Sequence, residues 1–262
     1  TARAIENEQN RARELEDASN RLTAKQARVI ELLSLQRRAQ LIGGAGSGKT
    51  HLAMLKAREL TRSGHRTALL CYSRGLARDF ELQAATWPEE ERPAYVGMFH
   101  SLPRWWGSSS REPVAGIEAV SEYYEHHLPR ELIEVARSLP KDQLFDAVVV
   151  DEAQDFSSEW WDALQSCVTD PHEGVLWVFT DEHQRIFDRE GTAPITLSPF
   201  LLRENLRNTP QIASSFAPLS PVEQRVRLDD GAPVRFVDVD PEDVIGRADD
   251  AVVALGLEGW AD

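Results

Sequence analysis

Short apolar runs alternate with longer amphipathic stretches over the first two thirds of the chain. Residues 39–42, 66–72, 144–150 and 174–179 are such runs, and 95–98 is a weaker one. Runs this short, apolar throughout and bounded by polar turns, predict strands buried on both faces, as in parallel sheets. Between them, residues 24–33, 50–60, 75–86 and 116–139 carry apolar positions at helical spacing. The first of these helices has Thr23 as its N-cap and an apolar face of Ala27, Ile30 and residues 33–35, with Gln26 beside that stripe. Ser63-Gly64-His65 ends the second, and Pro129 interrupts the last. Residues 103–116 hold Pro, Gly, Ser and the Trp105–Trp106 pair, and predict a loop or small insertion with the two indoles buried. This alternation predicts an α/β fold with a mainly parallel sheet flanked by helices.

The chemistry begins where the first strand ends. Gly43, Gly44, Ala45, Gly46, Ser47, Gly48, Lys49 and Thr50 fit G-x-x-x-x-G-K-[ST], a phosphate-cradling loop (P-loop) placed between strand and helix as that loop requires. Glycines let the backbone wrap an anion with its N–H groups, and the helix N-terminus adds the positive end of its dipole. Lys49 would reach the β- and γ-phosphates of a nucleotide and the Thr50 hydroxyl would ligate Mg²⁺, with His51 as the last residue of the cradle. A glycine turn that binds nothing is the alternative, and the full pattern in this context argues against it.

The strand at 144–150 runs into Asp151-Glu152-Ala153-Gln154-Asp155, and the strand at 174–179 into Thr180-Asp181-Glu182-His183-Gln184. Ligands bind at the C-terminal ends of strands in open α/β sheets. An Asp ending an apolar strand downstream of such a loop is the Walker B arrangement that holds Mg²⁺. Glu152 beside it is placed to take a proton from an attacking water. For that pair the alternative is a carboxylate cap on the next helix. Gln184 is a γ-phosphate sensor or an ordinary polar loop residue, and its chemistry alone does not choose.

Six segments, in order, resemble a superfamily 1 helicase of the UvrD/Rep type. They are Leu22-Thr23-x-x-Gln26, the glycine loop, Val96-Gly97-Met98-Phe99-His100-Ser101, the Asp151–Asp155 stretch, Thr180-Asp181-x-x-Gln184-x-Ile186, and Asn205-Leu206-Arg207-Asn208. Residues 70–74 and 205–209 also resemble the bacterial subgroup fused to a nuclease-related domain. The resemblance implies a RecA-like domain that hydrolyses ATP with Mg²⁺ and, in the full protein, moves 3′ to 5′ along single-stranded DNA. It implies that Gln26 bonds the adenine edge, that Lys49, Glu152, Gln184 and Arg207 serve catalysis, and that Thr50 and Asp151 hold the metal. Ser73, Arg74, Phe99 and His100 match segments that line the single-strand track, with a core position for Phe99 an equal alternative.

The match has departures. Leu206 stands where the family stacks an aromatic ring on adenine, and Thr180 where it has glycine. The stretch in which relatives insert a subdomain is short, and the later motifs, a second arginine included, have no counterpart. The expected organisation is a polar helix or linker over 1–21, an ATP-binding domain over 22–219, and the truncated start of a second lobe over 220–262. That last part carries an expected strand at 233–239 and helix at 241–257; the chain reads as a fragment or a curtailed relative.

Charge and composition narrow the picture. Residues 151–262 hold 23 Asp/Glu against 8 Lys/Arg, so that half supplies the net charge of −14. A chain this acidic is a poor non-specific nucleic-acid binder, so a strand contact needs a local groove in the first half. No apolar run approaches a membrane span and the polar N-terminal stretch is no signal peptide. Cys71 and Cys167, in apolar surroundings, suit a reducing cytoplasm. Two functions stand. One is an ATP-driven motor with ATP, Mg²⁺ and single-stranded DNA as partners. The other is a non-translocating ATP-binding switch or interaction module, which the acidic charge and missing motifs favour.

Overall fold

The computed structural model describes residues 28–109, 117–181, 197–205 and 208–217, with 225–226, 230, 234, 236–240 and 242–257 beyond them. Helical residues 28–32 (α1) lead to β1 (Arg38–Gly43) and α2 (Lys49–Arg62). Then come β2 (Thr67–Cys71), α3 (Arg74–Ala84), β3 (Tyr95–Met98) and the short α4 (Leu102–Trp105). A helical run of α5 (Ile117–Glu122), a π-helical turn (Tyr123–His127) and α6 (Leu128–Ser138) precedes β4 (Ala147–Val150), α7 (Ser158–Ser166) and β5 (Val175–Thr180). β6 (Ser198–Leu202), β7 (Glu204–Asn205), α8 (Pro210–Phe216), β8 (Arg225–Val226) and α9 (Val244–Leu257) follow.

Six of these strands form an all-parallel sheet in the order β3-β2-β4-β5-β1-β6, with helices on both faces. Successive side chains on a strand point to opposite faces. Ala39, Trp177, Val149 and Leu69 make one row across four strands. That face packs on Leu52, Ala53 and Ala57 of α2 and on Phe80 of α3. The opposite face, with Leu70, Val148, Val150 and Val178, packs on Leu132 of α6 and on Trp160 and Leu164 of α7. With both faces covered, the central strands β2 and β4 are buried at every position, which explains their unbroken runs. The parallel order has a second consequence: Gly43, Cys71, Val150 and Thr180 all end at the same edge, so the residues that follow them share one rim.

Several expectations are corrected. Pro129 does not interrupt its helix: the backbone stays helical from the π-helical turn into α6. The bond that its missing N–H cannot make is replaced from outside, since the Tyr124 carbonyl five residues back accepts from Trp160 Nε1. Leu35 leaves the expected apolar face and is 94% exposed, since α1 stops at 32 and residues 33–35 are a turn; Ile30 does reach the core. Residues 102–105 are helical, and Trp105 keeps 42% exposure while Trp106 is half-buried, both stacking on Phe145. Residues 236–240 form no strand, and Phe236 and Val237 stand exposed with no neighbouring strand among the described residues to pair with. The polar stretch over 1–20, Thr23 and Gln26 lie outside the described residues. Among the described residues no helix is long and apolar enough to cross a membrane.

Trp160 anchors the α7 side of the core. Its indole is fully buried, stacks on Tyr72 and Phe99 at 5.7 and 5.3 Å, meets His100 edge-on, and donates from Nε1 to the Tyr124 carbonyl at 2.9 Å. Trp160→Ala should therefore cost about 3–5 kcal/mol, read as a lowered urea midpoint. A loss under about 1 kcal/mol would show that this cluster does not hold the layer.

Candidate functional site

The loop between β1 and α2 is shaped by its glycines. Gly46 and Gly48 have φ of +82° and +85°, in the left-handed region that side chains with a Cβ rarely adopt. A Cβ on Gly43 would also lie 2.5 Å from Ser47 Oγ and 2.9 Å from Leu202 Cβ, so β6 presses the loop from outside. Helix α2 begins at Lys49 with Gly48 as an N-cap that offers no side-chain acceptor, and its first turn holds no acidic residue. Its leading N–H groups and dipole are thus left for an external anion.

Lys49 is 7% exposed. Its ammonium donates to the Gly43 carbonyl at 2.6 Å, the Gly44 carbonyl at 3.2 Å and Asp181 Oδ2 at 3.2 Å. Asp181 follows β5, the strand between β1 and β4, so the ion pair joins two adjacent strand ends across the rim. Ser47 Oγ and His51 Nε2 are buried without a hydrogen-bond partner. Burial lowers the His51 pKa, which keeps the imidazole neutral near pH 7.

Asp151 follows β4 and is wholly buried, and neither carboxylate oxygen has a well-formed hydrogen bond. Burial, and next the Glu152 carboxylate, push its pKa up to about 7. The Thr50 hydroxyl, the Glu152 backbone N–H and Lys49 pull the other way without offsetting this. Thr50 thus sits beside Asp151. A bare buried carboxylate next to a hydroxyl is a hard-oxygen donor set that fits Mg²⁺, which takes one or two protein oxygens and fills its remaining positions from phosphate and water. Among the described residues no cluster of three His, Cys, Asp or Glu could hold a metal by itself.

Glu152 has φ of +53°, the one non-glycine residue with positive φ among those described. Such a conformation is costly and persists where surrounding contacts impose it. Here the Asp155 N–H holds the Glu152 carbonyl at 3.2 Å, and Gln154 holds the side chain: its Nε2 donates to the Glu152 carboxylate, and its Oε1 accepts from the Asp181 N–H at 2.9 Å. One amide therefore ties the candidate base to the partner of Lys49.

The loop residues Gly43 to Thr50, with His51, thus meet Asp151 and Glu152 at one rim. Gln184, Leu206 and Arg207 lie outside the described residues, as does Gln26. Of the residues matched to a strand track, Ser73 is exposed and N-caps α3 by accepting from the Leu76 N–H at 3.1 Å. Arg74 is exposed and lines an open groove with Arg78, Tyr95, Arg104 and Trp105. For Phe99 the core alternative holds and the strand-track role is corrected: its ring is fully buried against Phe156 and Trp160 and offers no face to a base. His100 is half-buried among Tyr72, Tyr124 and Trp160.

Sequence reasoning gave no role to Asp181, Gln154, Asn205 and Asn208. Asp181 carried the same signal as Asp151, an acid directly after an apolar strand. The other three lie within segments that resemble the helicase family, but their partners are distant in the chain, so the contacts they make could not be read from their neighbours. No protein-family model matches the chain, and neither does any curated protein with which it was compared.

The Asp151 pKa has a consequence for stability. Because the folded value, about 7, lies above the ordinary 3.8, the folded protein keeps a proton that the unfolded chain has released. Stability without divalent metal should therefore fall as pH rises from about 4 through 7. Asp151→Asn should flatten that slope and raise the melting temperature at pH 8 in EDTA. An unchanged slope would mean that the carboxylate is not the buried acid responsible.

Proposed function

We propose that this chain is a RecA-like nucleotide-binding unit that hydrolyses Mg-ATP, and that it drives a motor of the superfamily 1 UvrD/Rep type along single-stranded DNA. The observation that carries the reading is the juxtaposition of the buried Lys49 ammonium, held on the Gly43 and Gly44 carbonyls after β1, with the bare Asp151 carboxylate after β4, near enough for the ammonium's charge to act on it. A cation and a metal-competent acid on one rim, beside a helix with an open N-terminus, match what a triphosphate with its magnesium requires.

In this reading Lys49 exchanges its carbonyl acceptors and Asp181 for phosphate oxygens, and Thr50 and Asp151 hold the metal. Bound Mg²⁺ supplies Lewis-acid polarisation of the phosphates. Glu152 accepts the proton of the attacking water, with Gln154 fixing its carboxylate. Asp181, released by Lys49, stays tethered through its N–H to Gln154, so phosphate arrival at Lys49 is felt at the base. The roles of Gln26, Gln184 and Arg207 rest on the resemblance alone.

The groove between α3 and α4 supports a single-strand partner: it places Arg74 and Arg104, with Arg78 ion-paired to Glu81 at 3.0 Å, beside the exposed Trp105, a cation-plus-aromatic composition that suits single strands. The net charge of −14 favours the second reading, a nucleotide switch that moves along nothing. Stimulation of ATP hydrolysis by single-stranded DNA in the full-length protein separates the two.

Removing Lys49 alone would leave Asp181 buried and unpaired, a change that destabilises by itself. Lys49→Ala should therefore be made with Asp181→Asn. In that pair ATP binding measured by calorimetry should weaken by roughly 10–100-fold, the worth of a charge-assisted hydrogen bond, with the fold retained. Affinity equal to that of the single Asp181→Asn variant would remove Lys49 from the site.

Glu152→Gln should keep Mg-ATP affinity while single-turnover hydrolysis in the full-length protein falls about 10²–10⁴-fold. Unchanged turnover would leave Glu152 as a structural residue.

A further inference from the structure

Beyond β6, the chain turns back over the glycine loop and places two side-chain amides on one carbonyl. Asn205 Nδ2 donates to the Ala45 carbonyl at 3.1 Å, and Asn208 Nδ2 donates to the same oxygen at 3.2 Å. The pair is itself braced, since the Asn208 backbone N–H donates to Asn205 Oδ1 at 2.9 Å. Asn205 is 1% exposed and Asn208 half-buried. A Cβ on Gly46 would lie 2.6 Å from Asn205 Oδ1 and 2.8 Å from Asn208 Nδ2, so the two amides occupy the space a side chain there would need.

The Ala45 carbonyl belongs to the same peptide unit as the Gly46 N–H. In a trans peptide these point in opposite directions, and the described chain has no cis peptide. Holding the carbonyl on the asparagines thus turns the Gly46 N–H to the far side of the loop. Locally, the Gly44–Ser47 turn around this peptide is closed by the Ser47 N–H donating to the Gly44 carbonyl at 3.2 Å, a bond that either orientation of the central peptide allows. Glycine takes positive and negative φ almost equally well, so a flip of the Ala45–Gly46 peptide meets little steric resistance from Gly46 itself. Because that turn bond survives a flip, the choice of orientation is open to groups outside the turn, and the two asparagines hold the Ala45 carbonyl.

We infer that Asn205 and Asn208 are positioning residues that lock the Ala45–Gly46 peptide with its N–H turned toward the bound phosphates. The inference rests on the nucleotide reading of the loop proposed above. It adds a link between that loop and the segment after β6, because the two asparagines bracket Leu206 and Arg207 in the chain. Any displacement of that segment would loosen the peptide, and any ligand that orders the peptide would draw the segment in. The loop and the segment then respond as one unit.

The test uses the whole chain with Asn208→Ala, the less buried member, and Asn205→Ser as a second variant. Amide hydrogen exchange over residues 43–50 is followed without nucleotide, and Mg-ATP affinity is measured by calorimetry, with melting temperatures alongside. Exchange in the loop should rise severalfold while the melting temperature stays within a few degrees. Affinity should fall about 2–10-fold, the effect of losing one neutral hydrogen bond. If either loop exchange or affinity stays at the wild-type value in both variants, the lock is wrong. The Lys49→Ala variant in the Asp181→Asn background separates the two levels. Affinity lost there but intact in the asparagine variants refutes the lock alone. A wild-type chain that fails to bind Mg-ATP removes the nucleotide reading and the lock's purpose with it.

Discussion

A lysine ammonium that is 7% exposed is an expensive thing to keep inside a protein, and much of this structure serves to accommodate it. Two loop carbonyls and one carboxylate do so, and each is delivered by a different feature of the chain. The carbonyls of Gly43 and Gly44 come from a loop that only glycines can fold. Asp181 comes from the end of β5, which reaches Lys49 because the sheet places β5 directly beside β1. Lys49 is itself fixed by α2, whose Leu52, Ala53 and Ala57 seat it on the apolar face of the sheet. The core thus sets where the charge sits, and the rim satisfies it.

The balance of charge at that rim is incomplete. Two buried carboxylates, Asp151 and Asp181, share the neighbourhood of one ammonium, and Lys49 pairs with Asp181. Asp151 is left without a well-formed partner, and its pKa rises accordingly. A site arranged in this way is short of a cation at Asp151 and, with α2 uncapped, short of an anion at the loop. A metal-bound polyphosphate supplies both together. This complementarity supports the nucleotide reading through charge and burial, independently of any sequence pattern.

Much of this was legible in the amino-acid order. Strands buried on both faces leave unbroken apolar runs, and left-handed backbone demands glycine at fixed positions, so the layers and the loop could be read directly. Asp151 and Glu152 announced themselves by following such a run. What escaped depends on partners far away in the chain. The order left Phe99 open between core and strand track because the residue that covers it, Trp160, comes 61 residues later, and Asn205 matters because it reaches back to Ala45. Pro129 read as a helix breaker because the π-helical turn that accommodates it has no local signature. Leu35 was misplaced by a helix end that lay three residues earlier than its periodicity implied.

The central claim is that Lys49 and Asp151 form one site for phosphate and metal together. Calorimetric titration of ATP into the chain, with excess Mg²⁺ and then with EDTA, tests this most directly. The account predicts one saturable site whose affinity is at least about tenfold higher with Mg²⁺, together with proton release to the buffer near pH 6.5 as the metal displaces the proton of Asp151. Binding that is absent in both conditions, or equally tight without the metal, would contradict it.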